Sequence, residues 1–160
     1  MEIINLIDED FVNFKVPSMF IIFPRCSFKC DKENGINCCQ NSNLATAPTI
    51  NIDATDIIKR YKNNPITEAI VCGGLEPFDS FNDLYHLAYA LRSIDEDSLL
   101  VIYTGYTEYE LENMDLLEPI IGFHNILIKF GRFKPGQIPH KDELLGVMLA
   151  SDNQYSKFYE

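Results

Sequence analysis

The sequence predicts an α/β protein of mostly parallel strands, arranged as an incomplete, open (β/α) barrel in a single domain. Three observations carry this expectation. Short β-rich runs alternate with helical patterns along the whole chain, as βα units do. Several of those runs are continuously apolar, which suits strands buried on both faces. The length of 160 residues is enough for one core but short of the roughly 200 or more that a complete eight-fold barrel needs.

The first run, "SMFIIF" (18–23), reads as a strand, and "PRCSFKCDKENGINCCQN" (24–41) after it holds turn-formers without a helical repeat. "DATDIIKRYKNN" (53–64) reads as a short helix with Asp53 as its N-cap. "TEAIVCGG" (67–74) is a second strand, closed by paired glycines. In "SFNDLYHLAYALRS" (80–93), Phe81, Leu84, Leu87, Ala88 and Leu91 fall on one helical stripe. "SLLVIYTGY" (98–106) is a third strand, and Thr107 with Glu110 forms a capping box opening a helix toward Leu117. Pro119 cannot continue that helix. "NILIKF" (125–130) is a fourth strand, and "LLGVMLAS" (144–151) is read as the last. No repeat, low-complexity linker or second domain is visible. A parallel sheet carries its functional loops at the carboxyl ends of its strands. Those ends here bear Cys26, Gly73–Gly74 and Thr104–Gly105, predicted to share one edge.

The formal charge of −11 and the absence of any Lys/Arg run argue against nucleic-acid binding. A surface kept soluble by self-repulsion accounts for the acidity. The start, "MEIINLIDEDFVNFK", lacks the basic and apolar segments of a signal peptide, and "MFIIF" is far too short to cross a bilayer, so a cytoplasmic location is expected. In that reducing compartment, four cysteines within residues 26–39 point to metal binding or redox chemistry before disulfides.

Cys26 and Cys30 have three residues between them, and eight more separate Cys30 from Cys39. Three thiolates wrapped around a cubane cluster leave one iron open to a small molecule. A structural zinc site would instead take four closed ligands, for which Cys26, Cys30, Cys38 and Cys39 supply the number. Adjacent residues in extended chain point to opposite faces, which disfavours Cys38 and Cys39 on one metal. The residues alone leave both centres open.

Cys26-x3-Cys30 after a strand, with a later cysteine followed by Gln40–Asn41, resembles the cluster loop of the radical S-adenosylmethionine (SAM) superfamily. Within it, the chain is most similar to the activating proteins of anaerobic ribonucleoside-triphosphate reductase. The family spacing is Cys-x3-Cys-x2-Cys, so six residues are inserted here. The longer loop costs about 1.2 kcal/mol of closure entropy, against on the order of 10 kcal/mol from thiolate ligation. The Gln–Asn that follows favours Cys39 as the third ligand, with Cys38 a spare thiol.

Three further elements extend the resemblance over residues 17–155. "CGGLEP" (72–77) resembles the Gly-Gly-Glu-Pro element that holds the SAM amino group, with Leu75 inserted, which implies a role for Gly73, Gly74 and Glu76. "YTGY" (103–106) matches a segment of the reductase activators and implies a cofactor contact for Thr104. "SDNQ" (151–154) resembles their Ser-Ser-Asn-Gln and adds Asn153, with Gln154 beside it. "KFGRF" (129–133) matches the family's Asp-Gly-Pro-Phe poorly. The resemblance implies a [4Fe–4S] cluster, SAM, and generation of a glycyl radical on a partner, the anaerobic ribonucleotide reductase large subunit. A flavodoxin or ferredoxin-type protein would supply electrons. Cys72 reads as an ordinary buried strand cysteine, and His86, His124 and His140 are isolated and assigned no role.

Overall fold

The computed structural model describes the whole chain, Met1–Glu160. In chain order its elements begin with β1 (Glu2–Ile3), β2 (Asn5–Asp10), β3 (Ser18–Phe23) and α1 (Lys29–Asn34). A 3₁₀ turn (Ser42–Thr46), β4 (Ile50–Asn51), α2 (Ala54–Asn63) and β5 (Ala69–Gly74) follow. A second 3₁₀ turn (Pro77–Ser80) leads to α3 (Phe81–Ile94), β6 (Leu99–Tyr103), α4 (Glu108–Asn113) and α5 (Leu117–Ile121). The chain ends with β7 (Ile126–Phe130), β8 (His140–Asp142), β9 (Val147–Leu149) and β10 (Tyr155–Tyr159).

Six strands form one mixed sheet in the order β10-β7-β6-β5-β3-β2. The inner four, β3, β5, β6 and β7, run parallel, while β2 and β10 pair antiparallel at the two edges. The α/β class is therefore observed. The sheet is open and does not close on itself, because each flank of the parallel run is finished by an antiparallel strand. The two small sheets, β1 with β4 and β8 with β9, stand apart from it.

Side-chain alternation along the strands builds two cores. Met19, Ile21, Phe23, Ile70, Cys72, Leu100, Ile102, Ile126, Ile128 and Phe130 face the helices. There they meet Ile57, Ile58 and Tyr61 of α2, the α3 stripe Leu84, Leu87, Ala88 and Leu91, and Ile120 of α5. Ala69, Val71, Val101 and Leu127 face the other way and pack with Phe14, Leu145 and Leu149. No helix contributes a buried residue to that second cluster. Only the 11–16 loop and the β8–β9 hairpin cover it, and Tyr103 Oη donates to Asn13 O to hold the loop there. Cys72 is wholly buried on the helical side.

Asp53 caps α2, its carboxylate accepting from Thr55 N at 2.8 Å. The Thr107–Glu110 capping box opens α4 as the residues require. That helix stops at Asn113, because Asp115 takes φ 55°, and Pro119 then sits in the first turn of α5, where it displaces no hydrogen bond. The expected strand at 144–151 is instead the turn and second strand of a hairpin. Asp142 Oδ1 accepts from Leu145 N, and Gly146 at φ 73° closes the bend. The last strand of the main sheet is β10, which pairs with β7 from Tyr155↔Phe130 to Tyr159↔Ile126.

Candidate functional site

A cavity of about 450 Å³ opens on the second face of the sheet at the carboxyl ends of the parallel strands. That size lies within the roughly 300–1,000 Å³ of small-molecule sites. Its wall joins the cysteine loop, the glycine turn and the third strand end: Cys26, Cys30, Cys39, Gly73, Gly74, Glu76 and Thr104 all line it. Cys38 and Asn153 do not.

The cysteine segment is not all loop. Phe28, at φ 51°, starts α1, which carries Cys30, and Gly35 at φ 68° ends it. The chain then turns back so that Asp31 Oδ1 accepts both Cys38 N at 2.7 Å and Cys39 N at 2.8 Å. These two bonds hold the adjacent cysteines in a tight bend and hold the Asp31 carboxyl below its usual range. The pair splits there. Cys39 faces the cavity, whereas Cys38 Sγ lies 3.5 Å from Asn34 Nδ2 and 3.6 Å from Cys30 O. Cys38 does approach Cys30 and Asp31, whose ligating atoms fall with its own within 4.8 Å.

Burial pushes the Cys26 thiol up to about 11, with Glu76, Asp79 and Cys39 adding negative potential. Burial pushes Cys30 to about 12, and the neighbouring Cys39 and Asp31 add to it. A bound cation would reverse this, because a coordinating thiol is deprotonated outright. Cys26 Sγ already accepts the Phe28 N–H at 3.2 Å.

Two glycines form the opposite wall. A Cβ on Gly73 would lie 2.8 Å from the Phe20 ring. On Gly74, at φ 91°, a Cβ would lie 2.6 Å from Ile22 Cγ2 and 3.0 Å from Phe23 N, so only glycine fits. Asn41 Nδ2 donates to Gly74 O at 2.9 Å and so fastens the cysteine loop to this turn.

The remaining wall presents charges of both signs. Glu76 is buried, and its carboxylate accepts from Thr104 Oγ1 (2.8 Å), Gly105 N (2.8 Å) and Phe78 N (3.1 Å). Desolvation outweighs these donors and raises the Glu76 carboxyl to about 7. Thr104 thus reaches the cavity as a partner of Glu76. Lys129 points from β7 into the same space, its Nζ donating to Gly131 O at 2.7 Å, and desolvation lowers it to about 8. Arg132, also buried, makes a bidentate pair with Glu110 at 2.8 Å and lies 5.4 Å from the Tyr106 ring centre.

Asn153 sits behind the cavity, donating from Nδ2 to Arg132 O at 2.9 Å. Its neighbour Gln154 does reach the wall, with Oε1 accepting from Ala150 N and Ser151 N and Nε2 donating to Gly131 O. Lys129, Arg132, Tyr106 and Asp79 join the site, although no sequence motif assigns them a role. Lys129 had a usable signal, being the one charge in the apolar strand "ILIKF". The others are joined only by contacts distant in sequence.

No helix is long and apolar enough to cross a membrane. Neither a curated protein nor a solved structure matches the chain. Residues 18–154 match the family described as "4Fe-4S single cluster domain". That span runs from the first residue of β3 to Gln154 and takes in the cysteine loop, the glycine turn and every strand end lining the cavity. The chain therefore belongs to the 4Fe-4S single cluster domain family.

Proposed function

We propose that this chain is a radical SAM activating enzyme, which reductively cleaves SAM to set a glycyl radical on a partner protein. The partner would be an anaerobic ribonucleoside-triphosphate reductase, as the motif resemblance implies, with a flavodoxin or ferredoxin-type donor and a cytoplasmic setting. The observation that carries this reading is the shared wall. Three thiols, a glycine pair, a buried carboxylate and a buried lysine all face one cavity of small-molecule size.

Cys26, Cys30 and Cys39 would hold the cluster, leaving Cys38 free behind them. When bound, a [4Fe–4S] centre of this kind supplies one electron to the sulfonium and an open iron for the amino acid portion of SAM. The chain's own residues would bind and orient. Gly73 and Gly74 let the ligand approach backbone without steric hindrance. Glu76 offers a carboxyl that an incoming ammonium group would draw into its ionised form, and Lys129 presents positive charge to a carboxylate. A zwitterionic amino acid needs both. Thr104 fixes the Glu76 carboxylate through its 2.8 Å bond. Asn153 would act one layer back, through the Arg132 carbonyl it holds. The second face, with no helix in its buried cluster, leaves an open approach for a polypeptide substrate.

A zinc-binding interaction module on Cys26, Cys30, Cys38 and Cys39 is the competing reading, favoured by the closeness of Cys30, Asp31 and Cys38. Cys38 points away from the cavity that Cys26, Cys30 and Cys39 line, toward Asn34 Nδ2 and Cys30 O, which weakens a four-cysteine site. Reconstitution with iron and sulfide without oxygen separates the two: about four irons per chain and a brown colour against one colourless zinc. With SAM, dithionite and a candidate reductase added, a glycyl-radical EPR doublet on the reductase is expected. Cluster-loaded chain that gives no doublet with any glycyl-radical enzyme would overturn the partner assignment.

A further inference from the structure

Asp79 reaches the cysteine loop from a different part of the chain. It lies in the 3₁₀ turn after the glycine strand, and its Oδ2 accepts the Ser27 N–H at 2.6 Å, across 52 residues. Its Oδ1 accepts from Tyr106 Oη at 2.6 Å. Ser27 is the residue after Cys26, and the next N–H, of Phe28, donates to Cys26 Sγ. The two successive N–H groups are thus both spoken for, one by a carboxylate and one by the thiol. Phe28 holds a left-handed φ of 51° that a non-glycine residue rarely adopts unaided. The clamp from Asp79 explains how that conformation persists.

Tyr106 completes the arrangement. Its ring is buried, with Lys29 Nζ 4.5 Å from the ring centre on the cluster-loop side and Arg132 5.4 Å from it. Its backbone N–H donates to Thr104 Oγ1 at 3.0 Å, the same hydroxyl that bonds Glu76. A continuous chain of contacts therefore runs from Cys26 through Ser27, Asp79 and Tyr106 to the strand end that faces the cavity.

Resting on the cluster reading above, we propose that Asp79 is the positioning residue for Cys26. It locks the Cys26–Phe28 turn in its ligating geometry and places a fixed negative charge beside that ligand. Cluster potentials respond to local charge and to hydrogen bonds at the sulfurs. A carboxylate here biases the centre toward a lower potential, as reduction of a sulfonium demands. The two contributions separate by substitution. Asp79→Asn keeps the shape and an acceptor but removes the charge. Tyr106→Phe keeps the charge but releases one anchor. Asp79→Ala removes both.

The test uses the full chain, reconstituted without oxygen, with two readouts: the midpoint potential by redox titration, and the rate of iron loss to a chelator. Asp79→Asn is expected to keep its iron and to shift the midpoint to a more positive value. Asp79→Ala is expected to lose iron about 10–100-fold faster, the usual penalty for removing a residue that orients a ligand. Tyr106→Phe should release iron faster at an unchanged potential. If Asp79→Asn leaves the potential unchanged and Asp79→Ala holds its iron as long as the wild type, the proposal is overturned while the cluster reading stands. A wild-type chain that takes up no iron overturns both.

Discussion

Asn41 donates from its side-chain amide to the carbonyl of Gly74 at 2.9 Å, spanning 33 residues. This bond brings the two halves of the candidate site into register. The cysteine loop has few apolar anchors, since α1 contains no buried residue. Its position is therefore set by polar bonds: Asn41 to Gly74, Ser27 to Asp79, and Asn34 Nδ2 to Phe133 O. Glu76 N adds a fourth, donating to Arg25 O at 2.8 Å just before the first cysteine.

The split of the adjacent cysteines predicts unequal effects of their removal. Cys39→Ala should abolish most iron uptake on anaerobic reconstitution, whereas Cys38→Ala should retain most of it. Iron per chain and visible absorbance measure both. Equal loss from the two variants would show that the third ligand is not settled by which thiol faces the cavity.

Gly74→Ala should destabilise the chain by about 2–4 kcal/mol, combining a strained positive φ with overpacking against Ile22. Gly73→Ala should be milder, since only the swinging Phe20 ring opposes it, yet that ring lines the cavity. Urea midpoints report the first effect, and SAM affinity of the reconstituted chain the second. An unchanged midpoint for Gly74→Ala would contradict the backbone geometry assigned to the turn.

Much of this geometry was legible in the residues, and the omissions have physical causes. Continuous apolar runs marked β3, β5, β6 and β7, because strands buried on both faces need no polar alternation. Asp53 and the Thr107–Glu110 pair marked helix starts through side-chain chemistry that is local. The edge strands "NLIDED" and "YSKFY" carry too much polar surface to stand out. The sequence "KCDKEN" of α1 offers no apolar stripe, so nothing in the residues marks Cys30 as helical. The order of motifs put Cys26, Gly73–Gly74 and Thr104 at strand ends, and one cavity collects them. Which face it opens on was not readable, because that depends on all the packed helices lying on the opposite side. The same holds for Lys129 and the Asp79–Tyr106 pair, which only the folded chain brings to the cysteines.

Glu76 predicts a pH dependence of opposite sign to the usual carboxylate. Its folded-state value, raised from 4.5 to about 7 by burial, means the native chain holds a proton that the unfolded chain has released. Stability should therefore fall as pH rises from about 5 to 7.5, by at most about 3 kcal/mol. Glu76→Gln should flatten that slope in urea titrations. Parallel profiles for the two proteins would show that Glu76 ionises freely in the native state.

Glu110 predicts the ordinary sign. The Arg132 guanidinium holds its carboxyl down at about 2, so the pair stabilises above about pH 4.5 and is lost as the pH falls toward 2. Glu110→Gln should cost about 2 kcal/mol at pH 7, between the values for exposed and buried pairs. The gap from wild type should narrow at pH 3. A gap that is the same at both pH values would mean that packing, not charge, accounts for the loss.

The most direct measurement is product analysis after anaerobic incubation of the iron-reconstituted chain with SAM and dithionite. 5′-Deoxyadenosine and methionine are expected in equal amounts, both lost in Cys39→Ala. A fully loaded chain that leaves SAM intact, or one that takes up only a single zinc ion, would contradict the proposed reaction.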